Sequence, residues 1–315
     1  MSLNQSEIKI FAGSSCRGFA EKICTHLGSE MGKSRVLKFS DGNIFVQIEE
    51  KVRDKDVYIV QSVALDPNNE FMELLFWVDA FKRSSAASIT AIVPYFGYAK
   101  GDKKDQPRVS IRARVCADCL ESAGVDRIVT MDLHSPQIQG FFKKPVDHLY
   151  GVSILCKYLK EKDTKNLVVV SPDAGFVKSA RIFATHLNTS VAIGDKTRKD
   201  HNEKAEVLDV LGDVAGKDAV IVDDFTISCG TLVNMAEKLK QLGAKKIYAC
   251  VSHSLLRDKG IKALEESAIE ELIITDTVEN GRVDLCKKIK VVTASNLFGE
   301  AIKIIHNRES LSNLF

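Results

Sequence analysis

No apolar run approaches the roughly 20 residues that a helix needs to cross a bilayer, so no membrane-spanning helix is expected. The formal net charge is only +2, which gives no basis for wholesale nucleic-acid binding, although local basic clusters can still hold phosphates. Met1 to Glu7 is polar and lacks the apolar core of a secretory leader. With no such leader, the eight cysteines read as reduced thiols and the expected compartment is the cytoplasm. Cys116-Ala117-Asp118-Cys119 has no second C-x-x-C or histidine pair to complete a zinc set, so packed or helix-surface cysteines are expected there. Gly28-Ser29-Glu30-Met31-Gly32-Lys33-Ser34 is one residue short of a P-loop and follows a helical pattern rather than a strand. No long linker or low-complexity tract interrupts the chain.

What is present is an alternation of short β-branched runs with helical patterns, the signature of parallel sheets covered by helices. The 315 residues, 45% hydrophobic and 27% charged, suffice for about two globular domains. Strands are expected at Ile8–Ala12, Val57–Val60, Ile89–Val93, Arg127–Thr130, Leu167–Val170, Val220–Val222, Ile247–Val251 and Ile273–Thr275. The turn-rich segment Pro145 to Gly151 marks the boundary, giving domains 1–148 and 149–315. Two internal echoes suggest duplication. Lys55 to Ser62 resembles Lys217 to Asp224, and the spacing of Gly124, Ile128, His134 and Ser135 recurs at Gly243, Ile247, His253 and Ser254. In the first echo, Gln61 and Ser62 stand where the second half has Asp223 and Asp224.

The most informative segment runs from Val220 to Leu232. A β-branched run ends in Asp223 and Asp224, the turn Ser228-Cys229-Gly230-Thr231 follows, and a helical pattern extends from Leu232 to Leu242. A turn entering a helix offers free backbone N–H groups to an anion, while adjacent carboxylates suit ribose hydroxyls or Mg²⁺ near a phosphate. The plain alternative is a crossover in which the two aspartates cap the helix.

Other strand ends carry polar groups in the same manner. His134, in Thr130 to Ser135, suits a phosphate, a metal or a structural role. Asp173, in Ser171-Pro172-Asp173-Ala174-Gly175, suits a pyrophosphate cradle, a metal or a plain βα connection. Two cation-rich segments follow further strands. Gly194 to His201 carries Lys196 and Arg198, read as a loop whose cations close on phosphoryl oxygens, and Lys100 to Arg108 is the second.

In this order, Phe39-Ser40-Asp41-Gly42, Pro94-Tyr95-Phe96-Gly97-Tyr98-Ala99, Asp132-Leu133-His134, Gln137 to Phe142, Ser171-Pro172-Asp173, Val222-Asp223-Asp224 and Gly230-Thr231-Leu232 resemble the ribose-phosphate pyrophosphokinases over nearly the whole chain. The resemblance implies an α/β fold of two similar phosphoribosyltransferase-type domains, each a mainly parallel sheet flanked by helices. The first would serve ATP and oligomer contacts, the second ribose 5-phosphate. It implies Mg²⁺ as cofactor and transfer of the β,γ-diphosphoryl group of ATP to O1 of ribose 5-phosphate, with AMP leaving. Lys196 and Arg198 would stabilise the transition state. Asp223 and Asp224 would hold the ribose hydroxyls, and Ser228, Cys229, Gly230 and Thr231 the 5-phosphate. Phe39, Asp41, Asn43, Lys100, Asp102 and His134 would bind ATP, with His134 and Asp173 around the metal. A homo-oligomer is implied, a homohexamer or one based on dimers, in which Phe39 and Asp41 serve a neighbouring subunit. Arg53, Ser85, Ser310 and Ser312 match an interface site for phosphate and ADP.

The chain also departs from the family. Ile227 and Cys229 replace an acidic residue and a glycine. Asn43 replaces a glutamate, and Lys100-Gly101 an Arg-Gln pair. Phe45 replaces a serine, while Ser110 and Arg112 replace a proline and a small hydroxyl residue. Cys229 is expected to crowd the phosphate turn, Asn43 and Gly101 to loosen base discrimination, and Phe45 to alter phosphate control. Two rival readings follow: a catalytically weak paralogue acting as a regulatory subunit, and a nucleobase phosphoribosyltransferase.

Overall fold

The computed structural model describes residues 8–162, 164, 166–198 and 205–314, with only the backbone described at 196–198 and 205–208. Within them the chain forms two compact units. One comprises Met1–Tyr150, Thr277–Glu279 and Ala294–Phe315; the other comprises Gly151–Asp276 and Asn280–Thr293. A continuous division at 148/149 therefore does not describe the C-terminal end, because residues 294–315 pack with the first unit.

The first unit opens with β1 (Ile8–Ala12), α1 (Arg17–Leu27) and the hairpin β2 (Ser34–Lys38) and β3 (Ile44–Ile48). It continues with β4 (Asp56–Val60), α2 (Pro67–Arg83), β5 (Ser88–Val93), α3 (Arg112–Ala123), β6 (Arg127–Met131) and β7 (Val146–Leu149). Its main sheet has the order β1-β4-β5-β6-β7, parallel throughout. Such a sheet is buried on both faces, which is why β4 and β5 read as near-continuous apolar runs. Trp77 and Phe81 of α2, both fully buried, cover one face with stacked rings 5.6 Å apart.

The second unit runs through α4 (Val152–Lys160), β8 (Leu167–Ser171), α5 (Val177–Leu187), β9 (Ser190–Arg198), β10 (Ala205–Leu211), β11 (Asp218–Thr226) and α6 (Gly230–Gln241). It ends with β12 (Ile247–Ser254), α7 (Asp258–Glu266), β13 (Glu271–Thr275) and β14 (Ile289–Val292). The sheet order is β10-β9-β8-β11-β12-β13-β14, with only β10 antiparallel to its neighbour. Helix α8 (Ser295–His306) then packs on α1 in the first unit, where Phe19 and Phe298 meet edge to face at 5.5 Å. His26 bonds Glu300 at 2.8 Å and His306 bonds Asp56 at 3.0 Å, so α8 is held by polar contacts as well.

All eight expected strands are present. The five-strand orders β1-β4-β5-β6-β7 and β8-β11-β12-β13-β14 correspond one to one, so the units share a topology. The echo of Lys55 with Lys217 joins the equivalent strands β4 and β11. The second echo joins β6 with β12, whose counterpart is β5, and so does not trace the duplication. All eight cysteines are free thiols, Cys116 buried and Cys119 partly buried on α3.

Candidate active site

Ligands of open parallel sheets bind beyond the carboxyl ends of the strands. In the second unit β8 and β11 are neighbours, so Asp173 follows one strand end while Asp223 and Asp224 lie in β11 just beyond its pairing with β8. Asp223 Oδ1 accepts the Asp224 N–H at 3.0 Å, and Asp224 Oδ1 accepts the Phe225 N–H at 2.9 Å. The N-cap residue of α6 is Cys229, whose side chain makes no cap hydrogen bond. Burial, then the neighbouring Asp224 and more weakly Asp173, hold the Asp223 carboxyl well above the usual carboxylate range.

The turn from β11 to α6 leaves Ile227 exposed and places Cys229 at φ 62° with its side chain 1% exposed. The thiol belongs to the buried core cluster that also holds Leu232, Leu256 and Ile261, and burial pushes it up to about 12. The side chain expected to crowd the turn is thus buried. Ser228 Oγ reaches the Gly230 N–H only at 3.5 Å.

Asp173 Oδ1 accepts the N–H groups of Gly175 and Phe176 at 2.9 and 3.2 Å, while Ser171 Oγ donates to the Asp173 carbonyl at 2.7 Å. The acidic turn is thus fixed before any ligand arrives. Gly194 to Arg198 is strand rather than loop. β9 runs past the end of β8 and pairs with β10, with Lys196 opposite Val207 and Arg198 opposite Ala205. The side chains of Lys196 and Arg198, and residues Lys199 to His201, lie outside the described residues.

The first unit differs at the equivalent place. Gln61, fully buried after β4, accepts the Ser15 N–H and hydroxyl at 3.1 and 2.8 Å and donates to the Glu70 carbonyl at 3.3 Å. Glu73 accepts Ser14 N at 2.8 Å and Trp77 Nε1 at 3.2 Å, and also bonds the Ser14 hydroxyl. Glu279 accepts the Phe19 N–H of α1 at 2.5 Å, and Ser62 Oγ donates to the Thr277 carbonyl at the same distance. The strand ends that hold acids in the second unit are here filled by the protein's own side chains.

The remaining calls fall on the first unit. Phe39 and Phe45, both exposed at the end of the β2–β3 hairpin, have ring centroids 6.2 Å apart. Asp41 accepts the Asn43 backbone and side-chain amides at 3.0 and 2.8 Å, which lower its proton affinity. Lys100 lies in the short turn Ala99–Gly101, with Asp102 next to it. A Cβ at Gly101 would stand 2.6 Å from Arg112 Nε, so the two departures at 101 and 112 are one packing change. His134 is exposed after β6. Arg53 and Ser85 are brought near each other, since the Asp54 N–H bonds the Ser85 carbonyl at 2.9 Å. Ser310 and Ser312 bond one another at 2.8 Å.

Sequence reading missed His148, which lay in the boundary segment. It is 4% exposed on β7, and its Nε2 accepts the Leu133 N–H at 2.8 Å, fixing the Asp132–His134 turn. His148→Phe would bury that N–H unpaired. We expect a stability loss of about 1–3 kcal/mol in denaturant titration, together with weakened ATP use.

Two mainly parallel sheets of one topology, flanked by helices, make both units phosphoribosyltransferase-type α/β domains, and of the equivalent strands β4 and β11 only β11 carries the acidic pair. Residues 8–124 match the N-terminal domain of ribose phosphate pyrophosphokinase, and residues 201–315 match the phosphoribosyl synthetase-associated domain. A ribose-phosphate pyrophosphokinase of Chlorobaculum tepidum is 48% identical over 99% of this chain and 96% of its own. One from Caldanaerobacter subterraneus subsp. tengcongensis is 49% identical over 98% of each chain. The crystal structure of phosphoribosylpyrophosphate synthetase from Mycobacterium smegmatis superposes with a TM-score of 0.90 at 35% identity, covering 96% of this chain and 99% of that one. The chain belongs to the ribose-phosphate pyrophosphokinase family.

Proposed function

We infer that this protein transfers the β,γ-diphosphoryl group of ATP to O1 of ribose 5-phosphate, giving 5-phosphoribosyl 1-diphosphate and AMP. The observation that carries this reading is the second unit's strand end, where Asp223 and Asp224 stand before an uncapped α6 N-terminus. The carboxylates accept the ribose hydroxyls, and the N–H groups of the Ser228–Thr231 turn receive the 5-phosphate. O1 attacks the β-phosphorus in line, and the α-phosphate oxygen leaves with AMP. Catalysis of this kind rests on positioning and charge neutralisation. Lys196 and Arg198 supply the cations for the charge spreading over the transferred oxygens.

Mg²⁺ fits the donor chemistry. Among the described residues no three His, Cys, Asp or Glu side chains form a metal cluster, and Mg²⁺ commonly keeps its waters and takes one or two carboxylates plus substrate phosphates. Asp173 would hold it, His134 lying around the same ion and ATP, and the ion would supply neutralisation of phosphate charge.

For ATP, Phe39 offers a ring face to the base and Asp41 an acceptor, while Lys100 and Asp102 line the second polar turn. Asn43 is already tied to Asp41 and Gly101 is covered by Arg112, which supports loose discrimination among triphosphate bases. We assign the first unit to ATP and subunit contacts and the second to ribose 5-phosphate. Self-association as a homohexamer or a dimer-based assembly, a cytoplasmic location, and an anion site at Arg53, Ser85, Ser310 and Ser312 belong to the same reading. Among the described residues no helix is long and apolar enough to cross a membrane.

The test is to mix the protein with ribose 5-phosphate and Mg·ATP and follow products by phosphorus NMR. AMP and a new sugar diphosphate should appear together. Sugar-phosphate binding without AMP formation would instead assign a non-catalytic paralogue.

A further inference from the structure

Gly260 lies in the first part of α7, inside the helix and buried, where glycine costs about 1 kcal/mol relative to alanine. The surroundings explain its presence. A Cβ there would lie 3.0 Å from the Ile227 carbonyl oxygen, 3.2 Å from the Ser228 carbonyl carbon and 2.8 Å from Leu256 Cδ2. Two of these three contacts are backbone of the turn that precedes α6. On its other sides the turn is already constrained: the Thr226 carbonyl accepts the Leu255 N–H at 2.8 Å, and the Cys229 carbonyl accepts the Val233 N–H at 2.9 Å. The Cys229 side chain packs in the same cluster as Leu256 and Ile261. The turn is therefore seated directly on the helix, with no side chain between them at this point.

We propose that Gly260 is a positioning residue for sugar-phosphate binding, its missing side chain setting how deeply the Ile227–Gly230 turn sits and so where the α6 N–H groups aim. The inference rests on the reading that this turn receives the 5-phosphate. Cys229 is its counterpart. Held at φ 62°, a non-glycine residue has little room to adjust, so a methyl group at 260 must push the turn outward rather than be absorbed. Glycine at 229 would restore that freedom and empty the thiol volume beside Leu256.

The experiment is a double-mutant cycle of Gly260→Ala and Cys229→Gly, reading both Michaelis constants, kcat and Tm. Gly260→Ala should raise the KM for ribose 5-phosphate roughly tenfold, while the KM for ATP and the Tm change little. Adding Cys229→Gly should recover most of that loss, so the two effects fail to add. An unchanged KM for ribose 5-phosphate in Gly260→Ala would overturn the proposal. So would a fall in Tm with both KM values unaltered, which would mark α7 as a packing element alone. Wild-type protein that forms no AMP would overturn the functional reading itself, and is seen before any variant is made.

Discussion

Lys196→Ala should lower kcat by about three orders of magnitude while changing the KM for ribose 5-phosphate by less than about threefold. The expectation rests on where β9 goes. It pairs with β8 only as far as Ser171 opposite Ile193, then continues beside β10, carrying the Lys196 and Arg198 backbone beyond the strand end that bears Asp173. On the proposed reading, a cation on such an extension would act on charge that develops during transfer and not on sugar held by Asp223 and Asp224. Arg198→Ala should behave alike. Initial-rate kinetics with ribose 5-phosphate varied at saturating Mg·ATP measures both constants, and a kcat within tenfold of wild type would remove Lys196 from the chemistry.

Asp223→Asn should separate stability from function. Its carboxyl holds its proton more tightly in the folded protein than in the unfolded chain, first because it is buried and then because Asp224 is adjacent. A group with a raised folded pKa favours folding most below its unfolded pKa, and that contribution is lost as pH rises through the folded value. At pH 8 the wild-type ligand-free protein is therefore destabilised relative to acid, and below about pH 4 this cost is absent. The asparagine variant, uncharged throughout, should melt higher than wild type near pH 8, by about 2–4 °C for each 1 kcal/mol relieved. The difference should vanish in acid. Turnover should nevertheless fall by roughly tenfold to a hundredfold, the worth of a hydrogen bond to a charged acceptor. A variant less stable than wild type at pH 8 would show the carboxylate to be a structural anchor. Activity of the wild type should fall with decreasing pH through the same raised value on the proposed reading, in which the ionised carboxylate accepts the sugar hydroxyls.

The strands legible in the sequence share one physical property. β4, β5, β8 and β11 are buried on both faces, so their apolar runs are continuous and need no knowledge of neighbours. The strands that sequence reading passed over are of another kind. β2, β3 and β14 are only partly buried, so their composition is mixed and shows no continuous apolar run. The same divide explains Gly194 to Arg198. Its charge reads as a solvated loop, whereas backbone pairing with the next strand, β10, makes it a strand, and charge does not reveal that pairing.

By itself the sequence determined the α/β class and an acidic pair before a small-residue turn, because those rest on local periodicity and on residue types a few positions apart. Only the tertiary structure decided which way side chains turn and what they meet. It sends the Cys229 thiol into the core, since burial among Leu256 and Ile261 outweighs the strain of a positive φ. It closes the first unit's strand ends with Gln61, Glu73 and Glu279, a filling assembled from residues distant in the chain. It returns α8 to the first unit through Phe298, His26 and His306. Each of these depends on packing between segments far apart in sequence, which no short window of residues encodes.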